Sequence, residues 1–319
     1  MNTARKDVKA DSAQKLGYSG KNIGIAFLDT GISNSNDFTK PINRIIAFKD
    51  FINNKKFPYD DNGHGTHVAG IACGSGINSN GVYKGIAINS NIIGVKVLNS
   101  EGQGNASDVL AGIQWVLDNK KKYNIKIMNL SIGTNNTSTN DPLVKAVEKA
   151  WDLGLIVNIA AGNNGPDKSS ISSPAISKKI ITVGSSDDDK KTNVLGNNLV
   201  NFSGRGPTLE CVIKPDIVAP GVDIISCSNN INNFNNFSIL NILSVSRNNY
   251  IALSGTSMST PIVSGAVALL LEKYPTLEPN DVKLMLKKSC KNLSLPRNQQ
   301  GWGLLDIYKL LSMEVSYGK

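Results

Sequence analysis

The sequence of 319 residues lacks any long apolar run. Its longest uninterrupted apolar stretch, residues 266–271, is far shorter than the roughly 18 residues that a membrane-spanning helix needs. The first residues, MNTARKDVKADSAQKLG, contain neither an apolar core nor the small-residue cleavage site of a secretory signal. We therefore expect a globular protein with no membrane partner and a cytoplasmic location.

Histidine and closely spaced cysteines are also scarce. The chain has two histidines and four cysteines, with no CxxC pair. The wide spacing argues against a zinc site and against a disulfide-dense secreted scaffold. We expect buried free thiols and a reducing compartment for the cysteines, which are Cys73, Cys211, Cys227 and Cys290.

Acidic residues are outnumbered, since 34 Lys and Arg stand against 25 Asp and Glu and give a net charge of +9. Such an excess of positive charge can bind nucleic acid, but the basic residues are scattered along the chain and do not form a cluster. The tightest run, the lysines at 120–122, follows a helical pattern, where positive charge stabilises the helix end. We therefore expect no nucleic-acid partner.

Short runs rich in Ile and Val alternate with amphipathic segments. Ser107 is the predicted cap of one helix, and Asp141-Pro142 starts another that ends before Gly154. Alternation of strand and helix predicts an α/β fold with a mainly parallel sheet, which binds ligands beyond the carboxyl ends of its strands. Buried parallel strands are predicted at residues 23–28, 92–98, 125–130, 155–160 and 179–183.

The composition shows no break that would mark a linker between domains. We therefore expect one domain over residues 1–319. One segment differs from the rest, because residues 226–249 are rich in asparagine and precede a strongly apolar helical pattern. This segment is predicted to be an exposed loop or an insertion.

Three short motifs stand at the ends of predicted elements. The sequence DTG begins at Asp29 after the first strand, NGHGTHVAG at 62–70 holds both histidines, and SGTSMSTP at 254–261 leads into a helix. Each motif alone is typical of a turn, a structural histidine or a helix cap. Acyl transfer by serine needs a nucleophile, a base with a near-neutral pKa and a carboxylate that orients the base. The three motifs together offer all of these in the order Asp, His, Ser.

These motifs and AAGN at 160–163 resemble the signature blocks of the subtilisin-like serine proteases, in the order of that family and from residue 17 to residue 311. The resemblance implies a three-layer α/β fold with helices on both faces of the sheet. It implies an endopeptidase in which Asp29 orients His64, the general base and acid. Ser257 would be the nucleophile, and the Asn163 amide and the Ser257 N–H would stabilise the oxyanion. His67 matches a structural position.

Within the family, the closer resemblance is to the intracellular AprX-like branch. It is carried by YKGIA at 83–87, SSPA at 172–175 and the long segment before the serine motif. The first residues resemble the start of a mature catalytic domain. The resemblance leaves open whether a prodomain existed upstream.

Many secreted members of the family bind calcium through an early aspartate and a loop after the histidine helix. Asp37 matches that aspartate, but the loop at 74–81 has no carboxylate. Calcium prefers about six to eight oxygen ligands. We therefore expect that the protein requires no metal or cofactor. A structural calcium ion remains an open question, and the loop sequence argues against one.

The resemblance also implies a cleft in which an extended polypeptide adds as a strand between residues 102–104 and 131–133. Ala106, Val109 and Ile132 would line an open apolar pocket for the fourth residue before the cleaved bond. Residues 131–133 and 160–162 would wall the pocket next to the bond, and a charged side chain would lose its water there unpaired. The expected substrate-binding residues are Leu98, Gly102, Gly104, Ala106, Val109, Ser131, Ile132, Gly133, Ala160, Ala161 and Gly162.

Other enzyme classes fit the sequence less well. An α/β-hydrolase esterase needs G-x-S-x-G, but Ser259 stands where the second glycine would be. A zinc protease needs H-E-x-x-H, and only two residues separate the histidines here. The remaining rival is a catalytically silent relative that uses the fold for binding. The sequence leaves open the physiological substrate, general protein turnover against dedicated peptide processing, and the oligomeric state.

Overall fold

A computed structural model describes residues 1–134, 138, 140–194, 196–229 and 249–314. In this part of the chain the helices are α1 (Asn2–Asp7), α2 (Ala10–Gln14), α3 (Asn36–Thr39), α4 (His64–Cys73), α5 (Ala106–Asn119), α6 (Pro142–Asp152), α7 (Thr256–Lys273), α8 (Pro279–Ser289), α9 (Arg297–Gln300) and α10 (Ile307–Ser312). The strands are β1 (Gly24–Asp29), β2 (Ile45–Asp50), β3 (Asn91–Lys96), β4 (Ile125–Leu130), β5 (Ile156–Ala160), β6 (Ile181–Ser185), β7 (Thr192–Val194), β8 (Asn197–Leu199), β9 (Ile217–Ala219), β10 (Ile224–Cys227) and β11 (Tyr250–Leu253).

A parallel sheet with the strand order β2-β3-β1-β4-β5-β6-β9 forms the centre of the fold. The chain starts at β1, fills β2 and β3 on one side, and then returns to β4 on the other side. The order thus reverses next to β1 and β4. In an open α/β sheet, ligands bind in the crevice at such a reversal, beyond the carboxyl ends of the strands.

All five predicted strands are present: the strand at 125–130 has the same bounds as β4, and the other four have boundaries shifted by one or two residues. The strand predicted at 23–28 is Gly24–Asp29, so Asp29 is itself the last residue of β1. The strand predicted at 179–183 is Ile181–Ser185. Every residue of β1 is buried, because helices cover both faces of the sheet, and this is why the strand reads as a continuous apolar run.

Two pairs of helices form the outer layers. Helix α7 packs on α4 and on β4, β5 and β6, whereas α5 and α6 pack on each other and on β1 and β5. The three-layer architecture implied by the sequence is therefore confirmed. Within the described residues, none of the helices is both long enough and apolar enough to cross a lipid bilayer.

The predicted helix ends are right in one case and wrong in another. Asp141 caps α6 by accepting a hydrogen bond from the Leu143 N–H at 2.9 Å, and Pro142 is the first helical residue. The prediction that Ser107 is the N-cap of α5 is wrong. Asn105 has the extended backbone of an N-cap residue there, and Ser107 lies inside the first turn of α5.

The segment predicted to be an exposed loop or an insertion begins inside a strand. Ser226 and Cys227 belong to β10, which pairs antiparallel with β11, so the expectation of an exposed loop from residue 226 is wrong. Pairing in the hairpin satisfies the backbone of these residues and buries their side chains. Residues 230–248, most of this Asn-rich segment, lie outside the described residues. The single-domain organisation stays a prediction.

The four cysteines are free thiols, but they differ in burial. Cys73 and Cys227 are buried and Cys290 is half-buried. Cys211 is exposed, so the expectation of burial is wrong for this residue. It lies in a tight turn whose backbone closes between Thr208 and Val212, outside the apolar core.

Candidate active site

The end of β1 and the start of α4 bring Asp29 and His64 together. His64 Nδ1 lies 2.8 Å from Asp29 Oδ1, and the Gly65 N–H donates to Thr30 Oγ1 at 2.9 Å. A Cβ atom on residue 65 would lie 2.2 Å from the Gly31 carbonyl oxygen, so only glycine permits this approach of helix to strand. Steric crowding therefore explains why the residue after His64 is glycine.

The contact with Asp29 sets both the orientation and the charge preference of His64. Burial alone would lower the pKa of His64. The negative charge of Asp29, its hydrogen bond and a further contribution from the charge of Asp60 outweigh burial and leave this pKa above its ordinary value of 6.5. With Nδ1 turned toward the carboxylate, Nε2 of the neutral ring is left as the proton acceptor.

Asp60 is a buried carboxylate next to this pair that the sequence analysis did not single out. Its oxygens accept hydrogen bonds from the Gly63 N–H at 2.8 Å, the Thr66 N–H at 2.8 Å and Thr30 Oγ1 at 2.9 Å. Burial raises the pKa of Asp60. It holds the first turn of α4 against the chain that follows Asp29. An acidic residue shortly before a glycine-rich helix start is the signal that could have found it.

Ser257 lies in the first turn of α7, beyond the carboxyl end of β4. Its Oγ donates to the Ser131 carbonyl oxygen at 3.3 Å, and Ser131 Oγ donates to the Ser257 carbonyl oxygen at 3.2 Å. No hydrogen bond joins Ser257 and His64, although the structure describes both side chains. In enzymes without substrate, hydrogen bonds between catalytic groups are often long or poorly aligned and tighten only when substrate binds.

The amide of Asn163 has a fixed orientation. Its Oδ1 accepts from both the N–H and the hydroxyl of Thr256 at 3.0 Å, so its Nδ2 is the end left to donate. Nδ2 lies 3.3 Å from the position that a Cβ atom on Gly255 would take. The first N–H groups of a helix have no partner within the helix. Asn163 thus places a side-chain donor beside the N–H groups that begin α7.

His67 stands apart from these groups. Its Nε2 lies 2.9 Å from the Ile224 carbonyl oxygen and 3.1 Å from that of Ile251, so the ring ties α4 to both strands of the β10–β11 hairpin. Burial lowers the pKa of His67 to about 3 and keeps the ring neutral. This geometry is that of the structural position that the sequence implied.

The residues expected to bind substrate surround the ends of β3, β4 and β5. Gly104 packs tightly on the chain just after β3, since a Cβ atom there would lie 2.3 Å from the Val97 carbonyl oxygen. Ala106 is exposed at the start of α5, whereas Val109 is buried. The others are Leu98, Ser131, Ala160 and Ala161, which are buried, Ile132 and Gly162, which are half-buried, and Gly102 and Gly133, which are exposed.

Ser172 lies between the two expected pocket walls, and the sequence analysis did not assign it to the pocket. A Cβ atom on Gly133 would lie 2.7 Å from Ser172 Cβ, and one on Gly162 would lie 2.1 Å from Ser172 Oγ. The neighbouring carboxylate of Asp141 is held by Ser173 Oγ at 2.7 Å. The Ser172 side chain therefore lies against both walls. The motifs contain no signal that would place Ser172 beside these two glycines.

The surroundings of Asp37 do not fit a calcium ion. This fully buried carboxylate accepts hydrogen bonds from the Gly76 N–H at 3.0 Å, the Asn78 N–H at 3.1 Å and the Tyr250 hydroxyl at 2.9 Å. The loop after α4 thus turns hydrogen-bond donors toward Asp37, whereas calcium requires oxygen ligands. Across the described ranges, no group of three or more His, Cys, Asp or Glu side chains is placed to hold a metal.

The subtilase family, peptidase S8, matches residues 20–303 of the chain. The chain therefore belongs to this family of subtilisin-like serine endopeptidases, and the resemblance read from the motifs is confirmed. It is 44% identical over 275 residues to serine protease AprX of Bacillus subtilis (strain 168), a match that covers 84% of this chain and 61% of that protein. It is 36% identical over 302 residues to subtilisin DY of Bacillus licheniformis, covering 94% of each.

Solved structures have the same fold. A cold-adapted subtilisin-like serine proteinase superposes with a TM-score of 0.68 at 30% identity and covers 91% of this chain and 90% of its own. The CspB protease of Clostridium perfringens superposes with a TM-score of 0.80 over 98% of this chain and 97% of its own. At 21% identity the second likeness shows the fold alone.

Proposed function

We propose that this chain is a serine endopeptidase that hydrolyses peptide bonds through an acyl-enzyme, with Asp29, His64 and Ser257 as its triad. The observation that carries the proposal is the contact between His64 Nδ1 and Asp29 Oδ1 at 2.8 Å, at the crevice edge where α7 also begins. It fixes the tautomer in which Nε2 can accept a proton. Family membership supports the reaction class.

The reaction uses side chains of this chain, and the family needs no cofactor for catalysis. Ser257 Oγ turns from the Ser131 carbonyl, gives its proton to His64 Nε2 and attacks the scissile carbonyl carbon. Asn163 Nδ2 and the Ser257 N–H donate to the oxyanion that forms. His64 then protonates the departing amine as the C–N bond breaks. Water next gives a proton to His64 Nε2 and attacks the acyl carbon, and Ser257 Oγ leaves and takes that proton back, which releases the carboxylic acid product.

We infer that the substrate is an extended polypeptide that adds as a strand beside residues 102–104 and 131–133. Backbone hydrogen bonds would supply much of the affinity, and alternate side chains would enter pockets. Ser172 between the two walls limits the depth of the pocket next to the cleaved bond. We expect uncharged side chains there and apolar side chains at the pocket of Ala106, Val109 and Ile132.

We further infer a role in protein turnover inside the cell, with dedicated peptide processing as the alternative within this class. This inference rests on the sequence resemblance to the AprX-like branch. Profiling the cleavage sites in a proteome digest tests the substrate. Cleavage confined to one motif would favour processing, and strict cleavage after Lys or Arg would show that a carboxylate reaches the pocket.

Replacing Ser257 with alanine tests the reaction. The variant should fold as the parent does, by circular dichroism, and should lose hydrolysis of a peptide library because only the nucleophile is removed. Near-normal turnover by Ser257→Ala would exclude this assignment. A parent protein that neither hydrolyses peptides nor reacts with a serine-directed fluorophosphonate would favour the catalytically silent binding protein.

A further inference from the structure

A line of polar side chains crosses the apolar core between β4, β5 and α7. Asn158 Nδ2 donates to Ser264 Oγ at 3.0 Å, and Ser264 Oγ donates to Asn129 Oδ1 at 2.8 Å. Asn129 Nδ2 donates to Ser131 Oγ at 3.2 Å, and Ser131 Oγ donates to the Ser257 carbonyl oxygen at 3.2 Å. An unbroken series of hydrogen bonds thus leads from the middle of the sheet to Ser257.

The core around this line is apolar, so the polar side chains carry a cost. Asn158 and Ser264 are fully buried and Asn129 is almost so. Their neighbours along β5 and α7 include Ile159 and Val263, which are also fully buried. Among the described residues Asn158 Oδ1 has no hydrogen-bond partner. Apolar side chains of similar volume would avoid that desolvation cost, so stability alone does not account for this arrangement.

The line of polar side chains reaches Ser131, which makes two hydrogen bonds with Ser257. Ser131 donates to the Ser257 carbonyl oxygen through its hydroxyl and accepts from Ser257 Oγ at its own carbonyl oxygen. A displacement of Ser131 therefore displaces both the backbone and the hydroxyl of Ser257. Polar networks that are hydrogen-bonded along their length hold a core in one arrangement.

We propose that Asn158, Ser264 and Asn129 are positioning residues that fix Ser131 and, through its hydrogen bond to the Ser257 carbonyl oxygen, the backbone position from which Ser257 attacks. The proposal rests on the proposed function, in which Ser257 is the nucleophile. These three side chains are buried and lie behind the cleft, where substrate does not reach them. Their effect is on the rate of attack, because a small misplacement of reacting groups is costly in rate.

Helix α7 supplies a matched control. Ser259 is also fully buried on this helix and lies nearer to Ser257 in sequence, but its Oγ has no hydrogen-bond partner within the described part of the chain. Ser264→Ala and Ser259→Ala each remove one buried hydroxyl from α7. Only the first change interrupts the line to Ser131.

The experiment measures kcat and KM on a peptide amide, the rate of labelling by a fluorophosphonate, and Tm. Ser264→Ala should lower kcat and the labelling rate by about 3–10-fold and leave KM within about twofold, since the cleft itself is unchanged. Ser259→Ala should leave all three kinetic quantities within about twofold of the parent. Asn158→Ala, at the far end of the line, should cause a smaller loss of kcat.

A double-mutant cycle decides whether the residues act together. The losses of kcat in Ser264→Ala and Asn158→Ala should not multiply in the double variant, whereas independent sites are additive in free energy. A Ser264→Ala protein with a lowered Tm but parental kcat and labelling rate would overturn the proposal. So would a rise in KM alone, or multiplicative losses in the double variant. Retained turnover by Ser257→Ala would instead overturn the proposed function.

Discussion

Removal of the Asp37 carboxylate has a consequence that can be worked out from its contacts. Asp37 joins the loop after α4 to β11, through the N–H groups of Gly76 and Asn78 and the hydroxyl of Tyr250. In Asp37→Ala these three donors lose their acceptor, at about 1–2 kcal/mol each, and the weakly donating Cys227 thiol, 3.5 Å from Oδ2, loses its acceptor too. We therefore expect the variant to lose about 3–6 kcal/mol of unfolding free energy.

The loss converts into a shift of the melting temperature. At about 2.1 cal/mol/K per residue, a chain of 319 residues has an unfolding entropy of about 0.7 kcal/mol/K. The Tm of Asp37→Ala should fall by about 4–9 °C, with calcium and with EDTA alike. Scanning calorimetry measures this, and both proteins should carry Ser257→Ala so that the sample does not digest itself.

Asp50 provides the control for this prediction. It is a buried carboxylate that accepts hydrogen bonds from the Ile52, Asn53 and Lys55 N–H groups and from the Tyr59 hydroxyl. Asp50→Ala should lower Tm by a similar amount in either medium. If millimolar calcium, but not magnesium, raised the Tm of the parent by several degrees and left Asp37→Ala unchanged, Asp37 would be a calcium ligand and the reasoning from its donors would fail.

Three further predictions concern the proposed catalytic groups and the thiols. Asn163→Leu should lower kcat by about 10²–10³ with little change in KM, a range carried over from the loss of the corresponding donor in subtilisin itself, and an unchanged kcat would remove Asn163 from the oxyanion site. Since Asp29 raises the pKa of His64 above 6.5, kcat/KM should fall as the pH drops through that raised value, and Asp29→Asn should move the midpoint lower; a rate maximum near pH 4 would contradict the assignment. Thiol titration of the denatured, unreduced protein should count four thiols, and in the native protein Cys211 should react first, because burial raises the pKa of Cys73 to about 12; two or four missing thiols would contradict the prediction of free cysteines.

Much of the fold was predictable because its signals are local. The run at 125–130 predicted β4 to the residue, and Asp141-Pro142 predicted the start of α6. A strand that is buried on both faces appears in the sequence as a continuous apolar run, and a helix start appears as a capping residue beside the first turn, so both signals lie in neighbouring residues. The exception, Ser107, shows the limit of such signals, since both Ser107 and Asn105 can cap a helix and only the backbone path selects one of them.

The sequence by itself determined the fold class, the family and the candidate triad, because the motifs carry a distinctive order of Asp, His and Ser. The tertiary structure alone decided which residues surround those groups. Ser264 meets Asn129 across 135 residues of chain, and Tyr250 meets Asp37 across 213. No local pattern encodes such contacts, since they exist only once the sheet has formed and α7 has packed on it. The hydrogen-bond donors at Asp37 and the polar line to Ser257 are therefore properties of the packed core.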